Sequence, residues 1–216
     1  MKPVLLFSLA FLLGSFPGCS QSANENKKVK EIVVGGPCEG CEAIYECLVP
    51  FDSLSHQCWL PDWNEKGTRL AVSGVVYNAD GTPAPGIILY FYHTDQTGVY
   101  PKQGNESGWA KRHGYLRGWM KTNEKGEYSF FTLRPAAYPG RSDPAHIHIT
   151  IKEPGKKEYW IDDYVFDDDP LLTEELRQRM QNRGGSGILK LEYADNLMKA
   201  ERNIYLGKNI PGYPGQ

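Results

Sequence analysis

Tyr138-Pro139-Gly140-Arg141-Ser142-Asp143-Pro144-Ala145-His146-Ile147-His148-Ile149-Thr150 is the stretch that decides how this chain is read. Ile147, Ile149 and Ile151 alternate with His146, His148 and Thr150, the period-two pattern of a half-buried strand. Residues i and i+2 of a strand share a face. His146 and His148 therefore project side by side, and the isoleucines turn to the apolar side. Two neutral imidazoles so placed can bond one metal ion. Tyr138 lies a few residues upstream, in a loop rich in Pro and Gly. Its phenolate is a hard, anionic oxygen donor that suits Fe(III) better than zinc, whose usual protein ligands are Cys, His and carboxylate. The histidine pair alone is a weak signal, because such pairs also arise as solvated faces of edge strands.

A second tyrosine, Tyr100, ends the run Tyr92-His93-Thr94-Asp95-Gln96-Thr97-Gly98-Val99-Tyr100. After it come Arg117-Gly118, then Thr122-Asn123-Glu124-Lys125-Gly126-Glu127-Tyr128-Ser129-Phe130, then Pro135-Ala136-Ala137-Tyr138-Pro139, then His146-Ile147-His148. In these motifs and their order, from about Gly74 to about Pro170, the chain resembles the intradiol ring-cleavage dioxygenases, the family of protocatechuate 3,4-dioxygenase and catechol 1,2-dioxygenase.

That resemblance implies a non-haem Fe(III) held by Tyr100, Tyr138, His146 and His148, with Tyr100 and His146 in plane and His148 axial. It implies a small aromatic diol as substrate, O2 as the second reactant, and cleavage between the hydroxylated carbons to a muconate-type product. Tyr138 would leave the metal when substrate binds and take its proton. The family often carries an arginine three residues before the first histidine; here that position is Asp143. Arg141, two residues earlier, is the candidate for stabilising charge on the substrate ring. A family glutamine is matched by Asp162, a carboxylate expected to repel an anionic substrate. His93 is expected to pack or face water, and His113 to lie on a surface loop.

The rest of the chain supports an all-β reading. Leu70–Tyr77, Ile87–Tyr92, Leu116–Lys121, Tyr128–Leu133, Ala145–Lys152 and Tyr159–Phe166 read as short strands separated by Gly, Pro, Asn and Asp turns. The expected fold is a prealbumin-like β-sandwich with a Cys-containing N-terminal extension and a short C-terminal helix. Thr173 opens that helix with a capping signal over Glu174–Met180, and Gly184-Gly185-Ser186-Gly187 ends it. Ile188 to Tyr193 is expected to return as a strand. The segment 67–206 is read as the sandwich with its extension, and 207–216 as a loose tail.

The beginning of the chain reads as an address. Lys2, the apolar run Val4–Leu13 and Gly18-Cys19 make residues 1–19 a signal peptide of lipoprotein type, with Cys19 as the lipidated residue. Membrane attachment is expected through this anchor only. Residues 20–66 read as a polar tether followed by a Cys-rich cap, with no room for the helical N-terminal domain of the catechol dioxygenases. Cys38, Cys41, Cys47 and Cys58 form an even set in an exported chain, which predicts two disulfides of open connectivity.

With 24 basic against 26 acidic residues and a formal charge of −2, the chain has no nucleic-acid footprint. An alternative remains from another class: a non-catalytic sandwich of prealbumin type, binding a carbohydrate or protein partner at the cell surface.

Overall fold

The structure, a computed structural model, describes residues 30–215. The expected leader, Cys19 and most of the tether lie outside the described residues. No helix among the described residues is long and apolar enough to cross a membrane.

The strands are β1 (Gln57–Trp59), β2 (Arg69–Tyr77), β3 (Ile88–His93), β4 (Arg117–Lys121), β5 (Glu127–Leu133), β6 (His146–Lys152), β7 (Tyr159–Trp160), β8 (Tyr164–Phe166), β9 (Ile188–Leu189), β10 (Glu192–Ala194), β11 (Leu197–Glu201) and β12 (Ile204–Tyr205). Two short helices, α1 (Ala110–His113) and α2 (Glu174–Arg179), interrupt them. They form two sheets. One runs β1-β5-β2-β11-β10, with β12 also on β2; the other runs β4-β3-β6-β8-β9, with β7 also on β6.

Strand β2 shows why the sheets pack. Leu70, Val72 and Val76 are buried, and their neighbours Arg69 and Ser73 are exposed. These side chains meet Leu89, Phe91, Ile147, Ile149 and Ile151 of the second sheet in one core. Each such aliphatic side chain contributes about 1.5–3 kcal/mol by leaving water. Strand β3 is buried on both faces, because a second cluster lies outside it, where Tyr90 and Ile88 pack against Ala43 and Ile44 of the cap. The Trp119 indole N–H donates to the Ile44 carbonyl at 2.8 Å, and Arg117 pairs with Glu46 at 2.6 Å. The cap thus covers the outer face of the sheet that carries the histidine pair.

Several expectations are corrected. Tyr159–Phe166 is two strands, because the Asp162 carboxylate accepts from the Asn182 and Arg183 amides and pulls the chain out of the ladder between β7 and β8. Ile188 to Tyr193 is likewise split between the two sheets, as β9 and the start of β10. Among the described residues one disulfide is formed, Cys38–Cys41, rather than the two expected, and Cys47 and Cys58 are thiols. Burial pushes the Cys58 thiol up to about 11. The tail is not loose over 207–215. Ile210 is buried, the Pro211 carbonyl accepts from the Gly35 amide at 2.8 Å, and the Tyr213 hydroxyl donates to Glu153 at 2.8 Å. The C-terminal helix lies where the sequence puts it, with Thr173 Oγ1 accepting from the Leu176 amide at 3.3 Å.

Candidate metal centre

Strand β6 brings His146 and His148 to one face, as the alternation requires, and Ile147 and Ile149 to the core. Asp169 fixes the start of the strand by accepting from the Ala145 amide at 2.8 Å. Tyr92, opposite His148 in the β3–β6 register, stacks on the His148 ring at 4.5 Å.

The two tyrosine loops are bound to each other. Thr94 Oγ1 donates to the Ala136 carbonyl at 2.7 Å, and the Ala136 amide donates to the Asp95 carbonyl at 3.0 Å. Asp95 then organises the turn, its carboxylate accepting from the Thr97 amide at 2.8 Å and the Val99 amide at 3.2 Å. Gly98 sits at φ +80°, where a Cβ would lie 2.0 Å from the Ala137 carbonyl oxygen. Only glycine permits that approach, which sets Tyr100 against Tyr138.

The four predicted donors converge. The Tyr100 hydroxyl contacts the Tyr138 hydroxyl and lies 2.9 Å from His148 Nε2. The Tyr138 hydroxyl is 3.2 Å from His146 Nε2 and 3.4 Å from His148 Nε2, and the two Nε2 atoms are 3.1 Å apart. Ligand atoms about 2.1 Å from one ion, set near right angles, stand about 3 Å apart, so these spacings match the edges of a coordination polyhedron.

The far side of each ring decides the tautomer. His146 Nδ1 is 2.7 Å from the Pro144 carbonyl, and His148 Nδ1 is 3.1 Å from Asp163 Oδ2. Both partners can only accept, so each Nδ1 carries a hydrogen and each Nε2 keeps its lone pair toward the cluster. Two phenolic protons are too few to bridge all the close contacts among the four atoms, whereas a central cation satisfies every one. Two oxygen and two imidazole donors fit ferric iron. Burial holds both phenols above their ordinary titration range; a bound cation reverses that preference by stabilising the phenolates. Burial also opposes ionisation of Asp163, but the His148 and His146 imidazoles outweigh it and hold the carboxyl below its usual range.

Other side chains differ from expectation. His113 is buried, stacked on Tyr92 with ring centroids 3.7 Å apart, and lines the cavity beside Tyr100 and Tyr138. Gly40 of the cap faces the His113 ring and covers that side of α1, while Lys111 and Arg112 stay exposed, which corrects the surface-loop expectation for His113. Its Nδ1 meets the Tyr90 hydroxyl at 2.8 Å, and burial lowers its titration to about 4. His93 is fully buried and bonds the Thr94 carbonyl and Thr132 Oγ1. Arg141 is exposed, with its guanidinium 5.5 Å from the centre of the Tyr138 ring and its Nε donating to Asp143 at 2.8 Å. The Asp162 carboxylate is consumed by backbone amides; Asp163, which sequence reading missed, is the carboxylate that faces the site. Two adjacent acids after a strand carry no signal that says which one turns inward.

Fold and donor set together define an all-β sandwich with a tyrosine–histidine cluster on the outer face of one sheet, beneath a disulfide-bearing cap. Residues 52–185, more than half of the chain, match the family model described as Dioxygenase. The chain belongs to the intradiol ring-cleavage dioxygenase family. It is 27% identical over 176 residues to catechol 1,2-dioxygenase 1 of Acinetobacter lwoffii, covering 71% of this chain and 56% of that enzyme. It is 32% identical over 106 residues to 6-chlorohydroxyquinol 1,2-dioxygenase of Cupriavidus pinatubonensis, 42% of this chain and 37% of that one. The chain thus spans only about half or less of these relatives' length. Among solved structures, the dioxygenase domain of a dioxygenase–carbohydrate-binding fusion from Streptomyces sp. SirexAA-E superposes with TM-score 0.54 at 23% identity, covering 68% of this chain and 85% of that one. Catechol 1,2-dioxygenase from Acinetobacter sp. ADP1 superposes with TM-score 0.55 at 17% identity, covering 71% of this chain and 57% of that one. Both share the sandwich fold.

Proposed function

We propose that this protein is a non-haem Fe(III) intradiol dioxygenase that cleaves a catechol-type ring with O2 to a muconate-type product. The observation that carries this reading is the convergence of Tyr100, Tyr138, His146 and His148, with both imidazole Nε2 lone pairs turned to one point. Ferric iron there would polarise a bound catecholate toward attack by O2, a reaction that the family also supports.

The chain's own residues do the rest. Tyr92, packed between the His113 and His148 rings, holds His148 in place from one side, and Asp163 holds it from the other. Trp109 and His113 wall the adjoining cavity, where a flat ring can lie. Neutral His113 adds no charge there. Tyr138, which matches the tyrosine that leaves the metal in the family, is the phenol assigned to shift, and its Oη is the atom that takes a proton from the entering diol. Arg141 lies over the outer side of the Tyr138 ring and favours the anionic phenolate within reach of its field.

A sandwich serving only as a binding module has no use for four donors with matched tautomers. The test is iron content, visible absorption and oxygen uptake with a panel of catechols. Stoichiometric iron with tyrosinate absorption and ring cleavage is expected; an iron-loaded, coloured protein that consumes no oxygen with any catechol would refute the activity. The leader and the Cys38–Cys41 disulfide suit an exported chain, anchored through Cys19. Membrane fractions that retain a Cys19→Ala variant as firmly as the parent would sink that assignment.

A further inference from the structure

Two cavities adjoin the donor cluster, and a third shares walls with the second of them. The first, of about 260 Å3, is faced by Tyr100, Tyr138 and His148 and is bordered by the exposed ion pair of Glu39 with Arg112. It shares Glu39, Tyr92 and His148 with a second of about 250 Å3. The second shares Trp160 and Asp163 with a third of about 280 Å3, walled by Val165, Leu172, Leu176 and Met180. The shared walls set the three side by side as a trough, polar at the donor cluster and apolar at its far end.

We propose that the substrate is a catechol bearing an uncharged, apolar substituent, with the diol at the donor cluster and the substituent running past Trp160 into the Leu176–Met180 groove. This rests on the dioxygenase reading above and adds the substrate class. Trp160 is a fixed surface for such a group. Its indole N–H donates to the Pro37 carbonyl at 3.2 Å, and the Arg183 guanidinium stands 3.3 Å from its ring centre. A ring held on one face and at its edge gives a second aromatic group apolar contact at little ordering cost.

Charge along the trough favours an uncharged substituent over an anionic one. Glu39 and Asp163 both line the middle cavity, and no Lys or Arg lines it. Arg179, the one basic residue at the apolar end, pairs with Glu175 at 3.4 Å, and the Asp162 carboxylate there is bound to two amides. A carboxylated catechol would pass Glu39, whose charge Arg112 already meets, and Asp163, which is held by His148, and would find no unpaired cation lining the middle cavity. Both oxygen atoms of O2 enter the product carboxyls and the substituent is untouched, so the reaction needs no further reductant.

The test uses the iron-loaded full chain and measures kcat/KM for 4-phenylcatechol, catechol and protocatechuate. We expect 4-phenylcatechol to exceed catechol at least about tenfold, and protocatechuate to fall below catechol by a similar factor. In Met180→Asp and Leu176→Asp, the ratio of 4-phenylcatechol to catechol should fall toward one. Catechol or protocatechuate cleaved as well as 4-phenylcatechol by the parent protein overturns this inference and leaves the dioxygenase reading intact. Cleavage of none of the three, with no tyrosinate absorption, overturns both. The comparison on the parent protein decides even if a variant fails to fold.

Discussion

His148 donates from Nδ1 to the Asp163 carboxylate at 3.1 Å, and so turns its Nε2 toward the point where Tyr100, Tyr138 and His146 meet. The outer partner fixes both the tautomer and the ring orientation of the inner donor. Replacing Asp163 with Ala should lower iron affinity by about 10- to 100-fold, the usual loss when such a partner is removed. Competition with a ferric chelator measures this. Unchanged affinity would show that the Tyr92 stack alone orients the ring.

Removal of a donor and removal of a proton acceptor should separate. His148→Ala takes away an imidazole that nothing nearby replaces, so most of the iron should be lost. Tyr138→Phe leaves Tyr100 and both histidines in place, with water able to fill the gap. It should keep more iron and yet lose ring cleavage, since the phenolate assigned to accept the substrate proton is gone. Iron analysis and oxygen uptake on the two variants decide; full activity in Tyr138→Phe would end the proposed role.

Gly98→Ala should be costly out of proportion to its size. The new Cβ would stand 2.0 Å from the Ala137 carbonyl oxygen at a φ of +80°, so the loops of Tyr100 and Tyr138 must part. We expect roughly 2 kcal/mol or more of destabilisation by urea unfolding, together with weaker iron binding. A stable variant with normal iron content would show that the loops tolerate separation.

Two buried histidines set an acid limit. Burial lowers His93 and His113 to about 4, against about 6.5 unfolded. Between those values the unfolded chain binds protons that the folded chain does not, so stability rises with pH. It is fully present above pH about 6.5 and is lost as pH falls toward 4. Unfolding free energies of the metal-free protein, from urea titrations, should drop between pH 7 and 4.5 by roughly 1–3 kcal/mol for each histidine. A flat profile would contradict the neutral, buried state of both rings.

The cap should hold one disulfide and two thiols. Alkylation of the unfolded protein without reductant should modify Cys47 and Cys58 and spare Cys38 and Cys41. In the folded protein Cys58 should react slowly, because burial raises its thiol to about 11. Four unmodified cysteines would show that a second bond forms.

The alternation around Ile147 and Ile149 was enough to place His146 and His148 on one face, because the two-residue period of a strand is local geometry. Turn residues marked most strands of both sheets, and Thr173 marked the start of α2 for the same reason. The ordered motifs also carried Tyr100 and Tyr138 to the site. What sequence left undecided depended on contacts between distant residues. Asp162 and Asp163 are equivalent until the 182–183 amides claim the first and His148 claims the second. His113 reads as a loop residue until the cap buries it against Tyr92. The tail reads as loose until Glu153, 60 positions away, accepts from Tyr213. Periodicity and turn chemistry are written in neighbouring residues, but burial and the choice of hydrogen-bond partner are settled only when remote segments meet.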